Sequence, residues 1–328
     1  MSGFTSISRR RFLGAAAGGL LLPAAGLSRA DDGRTSAGQG AETAGSAAKP
    51  QSFRFVHFTD SHVQPELNAA KGFAKALEAA QALDPAPDFI LTGGDLVMDV
   101  LEEREKRSTM LFELYKKLLL DHCGLPVHQC IGNHDVFGWG KPFGVTPKHP
   151  RYGKEMVVEE LELPGRYYRF DHKGWRFYVL DSIQPAEKTT YQGYIDAEQL
   201  AWLKQELAAK DPAMPAVAVT HIPLLSASAI SWCMAHGEGK LAPNIICRGG
   251  GAVGRLLGDH GVRLALSGHI HQLDRIEYRG LTYICDGAVA AKWWKGPNDG
   301  LQEGFGVIDL AADGTVSHTY HDYGWQAG

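Results

Sequence analysis

The chain has 328 residues and a mass of 35.6 kDa; 44% of its residues are hydrophobic, 21% are charged, and its 39 glycines and 16 prolines show no collagen-like or low-complexity pattern. That composition predicts a packed core and excludes a disordered chain. The formal net charge is −4, and because residues 1–30 hold four arginines and no acid, the remainder carries 29 bases against 37 acids, which argues against a basic nucleic-acid footprint.

At the amino terminus, Ser8-Arg9-Arg10-Arg11-Phe12-Leu13 precedes a mildly apolar, Gly/Ala-rich stretch over 14–27, and Ser28-Arg29-Ala30 places small residues around a cleavage position. This order resembles a twin-arginine (Tat) export signal, whose pattern is S-R-R-x-F-L. The resemblance implies the Tat machinery as a partner, passage across the membrane in the folded state, and a periplasmic or secreted location. Residues 31–50 are small and polar and predict a flexible linker, which puts the folded domain at 51–328. The body of the chain has no run of 18 apolar residues free of Gly and Pro, so no membrane span is expected there.

From Gln51 on, short β-rich runs alternate with helical patterns. Strands are predicted at 53–58, 88–91, 126–131, 175–180, 216–219, 263–266 and 281–285. Helices are predicted at 69–83, stopped by Asp84-Pro85, at 101–120, and from the N-cap Asp196, with Gln199 three residues on, to the stop at Asp211-Pro212. Residues 167–170 and 175–180, joined by Asp171-His172-Lys173-Gly174, predict a β-hairpin. Gly249-Gly250-Gly251 lacks the Lys-Ser/Thr of a P-loop and predicts a helix entry. Together these elements predict an α/β domain of packed sheets flanked by helices. The five cysteines include no C-x-x-C pair; Cys123 and Cys130 are either a disulfide or small buried hydrophobes.

Five polar clusters directly follow apolar strands: Thr59-Asp60-Ser61-His62, Gly93-Gly94-Asp95, Gly132-Asn133-His134-Asp135, Thr220-His221 and Ser267-Gly268-His269-Ile270-His271. Strands of an α/β sheet deliver residues from their carboxyl ends into a common crevice, so clusters spread over the chain can converge. Oxygen donors from Asp60, Asp95 and Asn133 with imidazoles from His62, His221, His269 and His271 form a mixed set that suits Mn, Fe or Zn better than Ca or Mg. The other nine histidines, His57 and His318 among them, are read as structural. Two segments stand as candidate pocket walls: 138–152, with its aromatics and Lys141, Lys148 and Arg151, or else a self-packed surface loop; and 291–297, where one of Trp293 and Trp294 would face the site, or else both are ordinarily buried.

In this order the motifs resemble those of the calcineurin-like metallophosphoesterases, D-x-H, G-D, G-N-H-D/E, a later His and G-H-x-H, from Asp60 to His271. The resemblance implies a four-layer α/β/β/α sandwich of two packed mixed sheets with a two-metal site. In that family pattern Asp60, His62 and His271 hold one metal, Asn133, His221 and His269 the other, Asp95 bridges them, and His134 stands beside the metals as the catalytic group. The implied activity is hydrolysis of a small phosphate ester, diester or monoester, by hydroxide formed between two Mn, Fe or Zn ions. A relic that keeps the fold and binds metal or ligand without turnover is the alternative. Met98 occupies the position of the tyrosine ligand of purple acid phosphatases, so the resemblance does not extend to an iron-tyrosinate centre.

Overall fold

The computed structural model describes residues 49–328 apart from 141–142, 188–189 and 237–239. The segments expected to be an export signal and, nearly entirely, a linker, together with Lys141, lie outside the described residues. The elements run β1 (Phe53–Phe58), α1 (Ala69–Gln81), β2 (Ile90–Thr92), α2 (Glu105–His122), β3 (Val127–His128), α3 (Glu155–Glu160), β4 (Tyr168–His172), β5 (Trp175–Val179), β6 (Ile183–Ala186) and β7 (Thr190–Gly193). They continue through α4 (Ala197–Ala209), β8 (Ala216–Val219), α5 (Ala227–His236), α6 (Gly250–Asp259), β9 (Val262–Ser267), β10 (Asp274–Tyr278), β11 (Leu281–Cys285), β12 (Gly304–Leu310) and β13 (Val316–Asp322).

Two mixed sheets result, ordered β13-β12-β1-β2-β3 and β10-β11-β9-β8-β5-β4, beside a β6-β7 hairpin. The period-2 alternation of strand side chains decides how they stack. Phe53 and Phe55 of β1 join Phe177, Val217, Val219, Leu264, Leu266 and Ile284 of the other sheet in one apolar layer. Val56 and Phe58 of β1, and Ala216 and Ala218 of β8, face outward into a second cluster that also holds Phe73, Leu77, Phe112 and Leu203 of the helices. The fold is therefore α/β, with two mixed sheets face to face and helices on the outer faces, as expected.

Strands β1, β8 and β11 occupy the expected residues, and Asp196 caps α4, accepting from Gln199 N at 2.8 Å. Other boundaries shift for local reasons. The helix expected from 101 begins at Glu105, because Asp99 Oδ1 accepts Leu101 N–H in a turn and Arg104 is extended. β4 continues to His172, since only Lys173 and Gly174 make the turn, both with left-handed backbone (φ 46° and 78°). All five cysteines are free, and Cys130 is fully buried, so the hydrophobic alternative holds for Cys130. Gly249, φ 77°, leads into α6 as the helix entry predicted. Among the described residues no helix is long and apolar enough to cross a membrane.

Candidate metal centre

β1, β2 and β3 run parallel in one sheet and β8 and β9 parallel in the other, and their carboxyl ends release the five polar clusters side by side. The loops after β1 and β2 are laced together by Asp60 N to Gly94 O at 2.9 Å, His62 N to Asp95 O at 3.0 Å and Val63 N to Leu96 O at 3.1 Å. This lacing holds an unusual backbone. Asp60, His62, Asp95, His269 and His271 all have positive φ, between 41° and 72°. Each costs about 1–2 kcal/mol for a residue with a Cβ, and five at one place mark a site whose geometry the fold over-determines. The glycines beside them make room for carboxylates: a Cβ on Gly268 would overlap Thr59 Oγ1 and Asp60 Oδ2, and one on Gly132 would overlap Asp95 N and Oδ1.

All seven candidate ligands meet. Asp60, His62 and His271 form one group of potential ligand atoms, Asp95, His221 and His269 another, and His62, Asp95 and His134 a third that links them, the atoms of each group lying within 4.8 Å of one another. Asp95 Oδ2 stands 3.2 Å from His221 Nε2 and 3.8 Å from His62 Nε2, between the two ends of the site. Asn133 Oδ1 is 3.0 Å from His221 Nε2.

The hydrogen bonds on the far side of each ring fix which nitrogen faces inward. His221 Nδ1 lies 2.8 Å from Gly93 O and His269 Nε2 lies 2.8 Å from Asn244 O, so in each neutral ring that nitrogen carries the proton. His221 Nε2 and His269 Nδ1 then face each other across 3.1 Å as two lone pairs. His271 likewise places Nδ1 on Ala291 O at 2.5 Å and turns Nε2 toward His62 Nε2 at 3.1 Å. Imidazoles anchored by a carbonyl behind and open toward buried carboxylates are the arrangement that metal-binding histidines adopt. Buried carboxylates and inward-facing imidazole nitrogens packed this closely are a donor set that fits a dinuclear metal site.

Without metal, the buried carboxylates of the cluster favour positive charge on two of the imidazoles. Burial works against a charged ring, yet Asp95 holds His221 up at about 9, and Asp95 with Asp99 holds His134 up at about 9. Burial would raise Asp95 as well, and His221 and His134 keep it well below the carboxylate range. His62, lowered by burial and by His134, falls to about 3 and so presents a neutral ring. His134 is the most open of these groups: its side chain is 27% exposed, Nε2 lies 4.0 Å from Asp95 Oδ2, and Nδ1 lies 3.5 Å from Asp99 Oδ1.

Several residues of the site had no assignment from sequence. Asp135 accepts N–H from Leu96 at 2.9 Å, Val97 at 3.3 Å and Gly132 at 2.8 Å, pinning the turn of Asn133 and His134 to the Asp95 loop. Its presence in Gly-Asn-His-Asp was the available signal. Ala291, Trp294 and Asn244 act through backbone or indole groups whose positions no spacing encodes. Of the two readings of segment 138–152, the self-packed loop is the one Arg151 fits, since its guanidinium is engaged by Glu159, Glu160 and Thr109. The structural reading of His57 and His318 holds, for both bond the buried Asp286, each at 2.7 Å.

The sequence signature of the calcineurin-like phosphoesterases matches residues 53–273. Two curated proteins are similar. A cAMP/cGMP dual specificity phosphodiesterase of Mycobacterium tuberculosis is 31% identical over 154 residues, which span 44% of this chain and only 43% of that protein. The 3′,5′-cyclic adenosine monophosphate phosphodiesterase CpdA of Haemophilus influenzae is 24% identical over 282 residues, 82% of this chain and 89% of that protein. Among solved structures, the chain is similar to GAP50, the anchor in the inner membrane complex of Plasmodium, with a TM-score of 0.49 and 19% identity over 84% of this chain and 85% of that one. It is also similar to the phosphopantetheinyl hydrolase of Mycobacterium tuberculosis, with a TM-score of 0.46 and 14% identity over 74% of this chain and 91% of that one.

Proposed function

Because the chain belongs to the calcineurin-like phosphoesterase family, we propose that it is a metal-dependent hydrolase of phosphate esters, with phosphodiesters, cyclic nucleotides among them, as the leading substrate class. The observation that carries this reading is the pair of inward-facing ring nitrogens, His221 Nε2 and His269 Nδ1, 3.1 Å apart beside the buried Asp95 carboxylate. In the proposed assignment Asp60, His62 and His271 hold one Mn, Fe or Zn ion and Asn133, His221 and His269 the other. Asp95, whose Oδ2 lies between His221 Nε2 and His62 Nε2, would stand between them. Two such cations supply hydroxide at neutral pH and neutralise charge on the phosphoryl oxygens.

The rest of the chemistry falls to side chains. His134 Nδ1 lies 3.5 Å from the Asp99 carboxylate and its Nε2 4.0 Å from Asp95 Oδ2, partners that favour the protonated ring. Its partly open ring beside the clusters suits it to deliver that proton to the departing alkoxide. Support for a diester over a monoester comes from the names of the two curated relatives.

The test loads the chain with Mn, Fe or Zn and compares 3′,5′-cyclic AMP, bis-p-nitrophenyl phosphate and p-nitrophenyl phosphate as substrates. Diester turnover above monoester turnover is expected. Two bound metals with no hydrolysis of any ester would identify a binding relic instead.

The amino-terminal sequence carries a second part of the proposal: residues 1–30 act as a Tat signal that delivers the domain at 51–328, folded, to the periplasm or beyond, through a linker at 31–50. Arg9→Lys with Arg10→Lys is expected to retain the chain inside the cell; unchanged export would overturn that part.

A further inference from the structure

Two tryptophans stand next to each other after β11 and meet different surroundings. Trp294 is 1% exposed, lies against Gly72 so closely that a Cβ there would overlap its ring, and donates its Nε1–H to His62 O at 3.0 Å. Trp293 is half-buried, and its ring centroid lies 4.7 Å from that of His271 and 6.0 Å from that of His62. The backbone that separates their fates is costly to form: Ala291, Trp293 and Trp294 have φ of 38°, 50° and 66°. It is held by Trp294 N to Ala290 O at 2.8 Å and Lys292 N to Gly296 O at 3.1 Å. Disfavoured conformations clustered at one turn point to a use for the side chain they present.

Core packing does not explain Trp293, since an indole needed only for burial would be covered as Trp294 is. The His62 ring has two partly open aromatic neighbours, Trp293 and, at 4.9 Å and nearly perpendicular, His134. A phosphoryl group over the two clusters therefore has its organic substituents beside these rings. Lys292 and Lys295, both exposed, flank the indole with positive charge suited to an anionic ester.

We propose that Trp293 is a stacking platform for the base of a nucleoside phosphate ester, which makes the preferred substrate a nucleotide diester and not the diester of an aliphatic alcohol. This inference rests on the phosphoesterase reading above and adds to it the class of organic group. An indole face offers a base a sequence-tolerant contact of the kind seen on single-strand binding platforms.

The probes are AMP and ribose 5-phosphate, which share phosphate and ribose and differ by the base, titrated calorimetrically into the Mn-loaded chain. The wild type is expected to bind AMP more tightly on the order of 10-fold to 100-fold. Trp293→Ala should bring that ratio close to one, and Trp293→Phe should retain part of it. A wild-type ratio near one overturns the proposal. So does a ratio that survives in Trp293→Ala, including the case in which both ligands weaken together, because the indole would then serve the metal ligands and not the base. If the wild type hydrolyses no ester, the parent reading fails, while the affinity ratio still reports on the platform.

Discussion

His221 Nε2 and His269 Nδ1 face each other across 3.1 Å, and both rings have already given their remaining N–H to backbone carbonyls. A metal ion is the group that these two rings and Asp95 are placed to share. Removing metal from the loaded chain should therefore abolish ester hydrolysis and weaken the fold. With free Mn at 100 times the Kd of each site, every bound ion should make the loaded protein about 2.7 kcal/mol harder to unfold than the chelated one. Urea unfolding with and without EDTA measures this; an unchanged midpoint would contradict a metal bound between these rings.

His134 lies beside both candidate clusters, and its own backbone N–H donates to Asp95 Oδ1 at 2.8 Å, so the turn is anchored independently of its ring. His134→Ala is expected to keep both metals and to lower kcat by about 10²-fold to 10⁴-fold, the range of a lost general acid. Metal analysis by mass spectrometry alongside steady-state kinetics separates the two effects. Near-normal turnover would remove the proton-donor role.

Gly268 leaves no room for a methyl group, since its Cβ would overlap the Thr59 hydroxyl and the Asp60 carboxylate. Thr59 Oγ1 donates to Asp60 Oδ2 at 2.6 Å, and His269 N–H donates to the same oxygen at 2.9 Å, so displacing Asp60 disturbs its orientation throughout. Gly268→Ala should weaken metal binding on the order of 10-fold to 100-fold, as lost support of a ligand does, while circular dichroism stays native. Competition against a metal-chelating dye reads the change.

Asp286 follows β11 in one sheet and is bonded by His57 of β1 and His318 of β13 in the other, joining the sheets by a buried charge network. Burial would raise its pKa, but His318 and His57 lower it to about 2, while Asp286 raises His318 against burial. The two signs differ. The depressed carboxylate contributes about 2 kcal/mol above pH 3.8, lost as pH falls toward 2. The raised imidazole contributes fully below pH 6.5 and loses its contribution as pH climbs past its raised value. Stability from this network should thus be greatest between about pH 4 and 6.5. Asp286→Asn should cost about 3–5 kcal/mol and flatten that profile, followed by urea unfolding across pH.

Much of the fold was legible because apolar runs such as 216–219, buried on both faces, need no periodicity to stand out. β12, by contrast, carries two glycines and Asp309, and β13 alternates with polar residues toward solvent, so neither produced a strand signal. α5 lacked an amphipathic pattern, and β6 contains Pro185. For the site, the candidate ligands stood out by residue type and order, and their side chains converge. Supporting groups did not: Ala291 and Asn244 contribute carbonyls, which every residue has. Asp286 lies 229 residues from His57, a distance at which spacing carries no information.

β12 lies between β13 and β1, so the strand that ends at Asp60 owes one whole edge of hydrogen bonds to residues 304–310. During synthesis β1 can pair with β2 on one edge, but its other edge stays open until residues 304–310 have emerged. The sheet beneath the centre is completed only then, and an open strand edge in that interval is a site at which other chains can pair.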